Sequence, residues 1–151
     1  MTLTTLLNPE LTFCNIQSRG KSQLLHDCAT LIASKVDGLT ADEIFAALMA
    51  REQLGSTGLG DGIAIPHCRI PRYERSIGCL VKLKDGGTDF DAIDGKPVDI
   101  LCFLLVPENS LEGHLEILRT LAEHFTDPAF CARLRAAQSD AALYHAAVGT
   151  P

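Results

Sequence analysis

The stretch Val98–Val106, VDILCFLLV, is apolar at every position but Asp99. A run this short and this apolar has no polar face to offer water, so it reads as a strand covered on both sides, stopped by Pro107. Such a strand needs helices above and below it, and the rest of the chain supplies them. Leu24, Leu25, Cys28, Leu31 and Ile32 recur at helical spacing within Lys21–Lys35, where Ser18 is expected to act as the cap. Thr40 and Glu43 form a capping-box pattern that opens a second helix, with Ile44, Phe45, Leu48 and Met49 on its buried face and Gly55 at its end. Leu111–Phe125 reads as a third helix, Asp127–Pro128 opens a fourth, and Ser139 or Asp140 starts the last. Leu11–Ile16 and Ser76–Lys84 read as further strands. No repeat, low-complexity tract or linker divides the chain. The expectation is a single α/β domain over residues 1–151, a sheet with helices on both faces.

Charge and cysteine usage exclude several classes of function. The formal net charge of −6 opposes a phosphate-backbone partner and a polybasic membrane contact, so neither nucleic acid nor membrane insertion is expected. The longest apolar runs fall far short of the ~20 residues of a membrane helix. Six scattered cysteines include no CxxC pair, and the opening MTLTTLLNPE lacks the basic-then-apolar pattern of a secretion signal. A cytoplasmic location with free thiols is the expectation.

The Gly-rich segment GSTGLGDGIAIPH, residues 55–67, is the informative place for chemistry. Gly55 and Gly60 have P-loop spacing, but Asp61 stands where the phosphate-binding lysine belongs. Gly58, Gly60 and Gly62 are spaced GxGxG rather than as a dinucleotide fingerprint, with no strand before them. What remains is a loop that delivers His67 just after Pro66, at the expected end of a strand, on backbone stiffened by the proline. A neutral imidazole keeps one lone pair available at physiological pH, and a hydrogen bond from its other nitrogen to a backbone carbonyl would select the nucleophilic tautomer. A lone histidine is more often plain surface or satisfied core. His114 follows helical spacing with Leu118, Leu121 and Phe125, facing inward near the positive end of its helix, where an anion is favoured. A core histidine bonded to a carbonyl fits that pattern equally well. His26, His124 and His145 read as surface. Neither HxxxH nor CxxC supports a metal at His67, Cys68 and His114, and Cys68 should point away from its neighbour.

The segment GSTGLGDGIAIPH resembles the active-site signature of the mannitol/fructose-type enzyme IIA family of the bacterial phosphotransferase system. REQLGSTGLGDGIAIPH (51–67), FDAIDGKPVDILCFLLVP (90–107) and EGHLEILRTLAEHF (112–125) follow in the family's order, and RLRAAQSDAALY (133–144) is similar to its nitrogen-regulatory branch. The resemblance implies a mixed sheet flanked by helices. It implies that His67 is phosphorylated on the ring nitrogen remote from the backbone, that His114 assists, and that Arg51 serves the phosphorylated state. It places Ser56 and Thr57 in the loop that bounds the site, as candidate phosphoryl-binding groups. Cys68 departs from the glycine that often follows the active histidine.

The reaction so implied is attack by neutral His67 on the phosphohistidine of an HPr-like carrier, with neither metal nor other cofactor. Such a relay asks the protein for positioning and charge stabilisation, and for a modest docking surface near or below ~1,200 Å². In one reading, phosphorylation changes how the protein binds regulatory targets. In the other, the chain is the IIA unit of a sugar permease and passes its phosphoryl group to a IIB domain. The 133–144 match and the lack of a fused IIB segment favour the first. A binding module that is never phosphorylated is the third.

Overall fold

The computed structural model describes residues 2–84, 86–109 and 112–149, with every side chain among them except those of 112–114. The elements in chain order are α1 (Leu3–Leu6), a 3-10 turn at Pro9–Leu11, β1 (Thr12–Ile16), α2 (Lys21–Lys35), α3 (Ala41–Glu52), β2 (Gly58–Gly60) and β3 (Ile63–Ala64). After them come β4 (His67–Ile70), β5 (Ile77–Leu83), β6 (Ile100–Pro107), α4 (Glu112–Phe125), α5 (Pro128–Ala136) and α6 (Asp140–Val148).

The apolar run becomes the central strand, β6, buried at every position. Its side chains alternate between two cores, as the pleat requires. Ile100, Cys102, Leu104 and Val106 join α1, α4, α5 and α6 through Leu6, Leu121, Leu134 and Leu143. Leu101, Phe103 and Leu105 face α2 and α3 through Leu24, Ile32, Ile44 and Leu48. Pro107 is the last residue of β6 rather than the stop after it, and it still pairs with Ile70. A proline is tolerated at a strand end, where a missing donor costs least.

The sheet is mixed. β5 runs antiparallel to β6, and β1 parallel to β5. On the other flank β3 and β4 both lie parallel to β6 in one register, Ile63 opposite Ile100 and His67 opposite Leu104. They are a single line of chain broken at Ile65–Pro66, because Pro66 has no N–H for the ladder; its carbonyl still accepts from the Leu104 amide at 2.9 Å. β2 pairs with β3 alone. Among the described residues β4 therefore has no strand on its outer side, and this open edge receives the site.

Most helix boundaries follow their caps. The Thr40 side chain accepts from the Glu43 amide while Glu43 reaches back to the Thr40 amide. Asp127 and Ser139 cap α5 and α6 by accepting from Ala129 and Ala142. The expected Ser18 cap is corrected: Gly20, with φ 113°, holds the N-cap of α2, and the Ser18 hydroxyl accepts from the Gly20 amide at 3.3 Å. The turn into α2 takes a left-handed conformation open to glycine, so the cap falls to a residue without a side chain.

Candidate functional site

His67 heads β4 instead of ending a strand, because the ladder restarts after Pro66. Cys68 and Ile70 enter the core on the α2–α3 side and Ile63 and Ile65 the opposite one. Strand alternation thus puts His67 on the α4 side of the sheet, half-buried. Both ring nitrogens are held. The backbone carbonyl of Ile65 lies 2.7 Å from Nδ1, and the Arg51 Nε–H donates to Nε2 over 3.2 Å. A guanidinium offers only donors, so Nε2 must be the acceptor. The proton then sits on Nδ1, donated to Ile65, and the lone pair sits on Nε2, the nitrogen remote from the backbone.

Burial and the Arg51 charge hold the His67 pKa below its ordinary 6.5, opposed by the Ile65 carbonyl and the Glu52 charge. The ring is therefore neutral at physiological pH. Between the lowered folded value and 6.5 the unfolded chain binds more protons than the folded one. The stability this ring contributes is thus present above 6.5 and lost as pH falls through the folded value. We expect the His67 ring signals in an NMR titration to show a midpoint below 6.5. A midpoint above it contradicts the desolvated neutral ring.

The turn after α3 supports this arrangement. A second guanidinium nitrogen of Arg51, Nη1, donates to the Gly55 carbonyl at 2.8 Å. Glu52, one residue on, is only 7% exposed. Its carboxylate accepts from the Thr57 amide at 3.3 Å and from the Thr57 hydroxyl, and pairs with Lys21 Nζ at 2.9 Å. Lys21 also lies 4.6 Å from the centre of the Phe90 ring. The Ser56 hydroxyl donates to the Phe90 carbonyl at 2.7 Å and accepts from the Gly58 amide at 3.1 Å.

Of the residues singled out from sequence, Arg51 and His67 are thus brought into contact. Ser56 and Thr57 lie in the adjoining turn, their hydroxyl protons donated to Phe90 and Glu52. His114 stands in the first turn of α4, one turn before the buried Ile117 and two before Leu121; its side chain lies outside the described residues. Cys68 is buried opposite His67, and burial pushes its thiol up to about 12, so it stays protonated. His124 and His145 are exposed and His26 is half-buried. Among the described residues no group of three or more His, Cys, Asp or Glu is placed to hold a metal, and no helix is long and apolar enough to cross a membrane.

Glu52 and Lys21 were not anticipated. Glu52 carried a signal: with Ile44 and Leu48 it falls every fourth residue on the buried stripe of α3, where an acid needs a partner. Lys21 carried none, because its contact with Glu52 joins two different helices.

The chain belongs to the EIIA 2 family of the phosphoenolpyruvate-dependent sugar phosphotransferase system, whose family model matches residues 5–146. It is 43% identical to the nitrogen regulatory protein of Pseudomonas aeruginosa, over 97% of this chain and 94% of that one. The crystal structure of nitrogen regulatory protein IIA-Ntr from Neisseria meningitidis superposes with a TM-score of 0.87 at 33% identity, covering 95% of this chain and 97% of that one. The Escherichia coli complex of enzyme IIAMTL and phosphorylated enzyme IIBMTL shares the fold, with a TM-score of 0.76 at 17% identity over 95% and 97% of the two chains.

Proposed function

We propose that His67 is the phosphoryl acceptor of this phosphocarrier, that Nε2 is the attacking atom, and that the donor is the phosphohistidine of an HPr-like protein. The observation that carries the reading is the pair of bonds on the ring: Ile65 fixes the proton on Nδ1, and Arg51 marks Nε2 as the lone pair. Attack forms the Nε2–P bond as the donor's N–P bond breaks, and the leaving imidazole keeps the electron pair. Positive charge develops on the His67 ring, where the Ile65 carbonyl stabilises it through Nδ1–H. Negative charge rests on the phosphoryl oxygens, which the Arg51 guanidinium meets once it swings off Nε2. Its bond to Gly55 keeps it within reach during that exchange. His114 is the proposed assistant, on the strength of its position in the first turn of α4 on the same side of the sheet.

A protein donor suits the surroundings. Leu54, in the turn that holds Gly55, and Ile93, in the loop that holds Phe90, are 84% and 93% exposed. Apolar side chains left in water near a reactive group suit a transient protein contact. The proposed output is regulatory, as the names of the nitrogen regulatory relatives suggest: a phosphoryl group adds close to two negative charges to this surface and changes what docks there.

The test is incubation with phosphoenolpyruvate, enzyme I and the HPr-like carrier, followed by ¹⁵N NMR of the histidine side chains. One acid-labile phosphoryl group on Nε2 of His67 is expected. Modification at Nδ1, or none, overturns the assignment. Rapid onward transfer to a purified IIB domain would replace the regulatory output with a permease role.

A further inference from the structure

We propose that Lys21, Glu52 and Thr57 form a positioning clamp that sets both hydrogen bonds of the His67 ring, an inference that rests on the phosphoryl-acceptor reading of that ring. Each bond to the ring hangs on the turn 55–57. On the Nε2 side, Arg51 is held by the Gly55 carbonyl at 2.8 Å. On the Nδ1 side, the carbonyl that takes the proton belongs to Ile65, whose own amide donates to the Thr57 carbonyl at 3.1 Å. One short turn therefore sets both the guanidinium and the peptide that orient the ring.

The turn is closed by Glu52. Its carboxylate takes the amide and the hydroxyl of Thr57, and the two residues are 7% and 6% exposed. A carboxylate buried this far is unfavourable without a charged partner, and Lys21, the first residue of α2, provides one at 2.9 Å. Lys21 is itself placed by the Phe90 ring and by Asp91 at 3.5 Å. The clamp therefore ties the start of α2 and the 90–91 loop to the turn that carries the site. It assigns the Thr57 hydroxyl to the turn, through Glu52, instead of to the phosphoryl group. Lys21, Glu52 and Thr57 act through other residues and are positioning residues for the transfer.

Three variants separate positioning from mere stability. Thr57→Val keeps the shape and removes the hydroxyl, Thr57→Ser restores the hydroxyl, and Glu52→Gln keeps an acceptor for Thr57 but removes the charge. For Thr57→Val we expect phosphoryl uptake at saturating carrier to fall about 10- to 100-fold, the loss that small misplacements of reacting groups produce, with the apparent affinity for the carrier unchanged. The His67 side-chain ¹⁵N signals should move from the pure Nδ1–H pattern toward a mixture of tautomers, and Thr57→Ser should recover both rate and pattern. For Glu52→Gln, which leaves Lys21 without its charged partner, the His67 side-chain ¹⁵N signals should move the same way.

A Thr57→Val protein with wild-type rate and ring signals overturns the clamp, and so does one that is slow with unaltered ring signals. Should Thr57→Val not fold, the Glu52→Gln ring signals decide, and a pattern unchanged from the wild type overturns the proposal. A wild-type protein that takes up no phosphoryl group defeats the acceptor reading, whereas the ring signals still report on the clamp.

Discussion

His67→Ala should remain folded and take up no phosphoryl group from the HPr-like carrier, while the wild type should gain one. The loss should be complete because no other described histidine has the same combination of features. His124 and His145 are exposed, and His26 makes an edge contact with Phe45. Only at His67, among the described residues, do a backbone carbonyl and a guanidinium divide the two nitrogens into donor and acceptor. Folding should be spared because the ring is half-buried at the open edge of the sheet and the backbone keeps its pairing with Leu104. His114→Ala is the comparison: it should still be labelled at His67, at a lower rate. Intact mass after a fixed incubation, with acid lability as the check on the bond type, measures all three proteins. Label that persists in His67→Ala moves the acceptor elsewhere. An unchanged rate in His114→Ala removes that residue from the site.

The layers of this fold were legible for the reason that makes such residues diagnostic. Burial on both sides leaves no room for a polar residue, so β6 was visible as an unbroken apolar run. Helices with one buried face repeat their apolar residues every three to four positions, so α2 and α3 were visible as stripes, and the Thr40–Glu43 cap fixed where α3 begins. Of the short strands, only β3 left a trace, as the apolar run expected to end at His67, and β2 and β4 were not legible. Two to four residues carry no periodicity, and what makes them strands is the neighbour each one pairs with. The site divided in the same way. Proline before histidine indicated a stiff backbone, and the carbonyl partner of Nδ1 proved to be two residues back in sequence. Arg51 came from the family signature, since spacing alone does not show that the end of α3 meets the head of β4. The tautomer needed coordinates, because it is set by which atoms approach the ring.

The largest effect on stability is expected deep under the sheet. Phe103 is fully buried in β6 on the α2–α3 side, among the largest side chains with no exposure. Phe103→Ala removes most of a ring from a packed layer that cannot collapse around the gap, because the strand is fixed by β5 on one side and by β3 and β4 on the other. Truncations of this kind cost about 3–5 kcal/mol, a large share of the roughly 5–15 kcal/mol that holds a domain together. At roughly 2–4 °C per kcal/mol for a chain of this length, Tm should drop by roughly 10 °C. Ile93→Ser is the control: the residue is 93% exposed, and its substitution should change stability by no more than about 0.5 kcal/mol. Differential scanning calorimetry on the two variants checks both values. Well below its lowered Tm, Phe103→Ala should still be phosphorylated at His67, because the imidazole is placed by the backbone register of β4 against β6 and by the turn at 55–57, and neither uses the Phe103 ring. A variant that loses uptake while remaining folded would mean that packing on the α2–α3 side, beyond the strand register, sets the geometry of the imidazole.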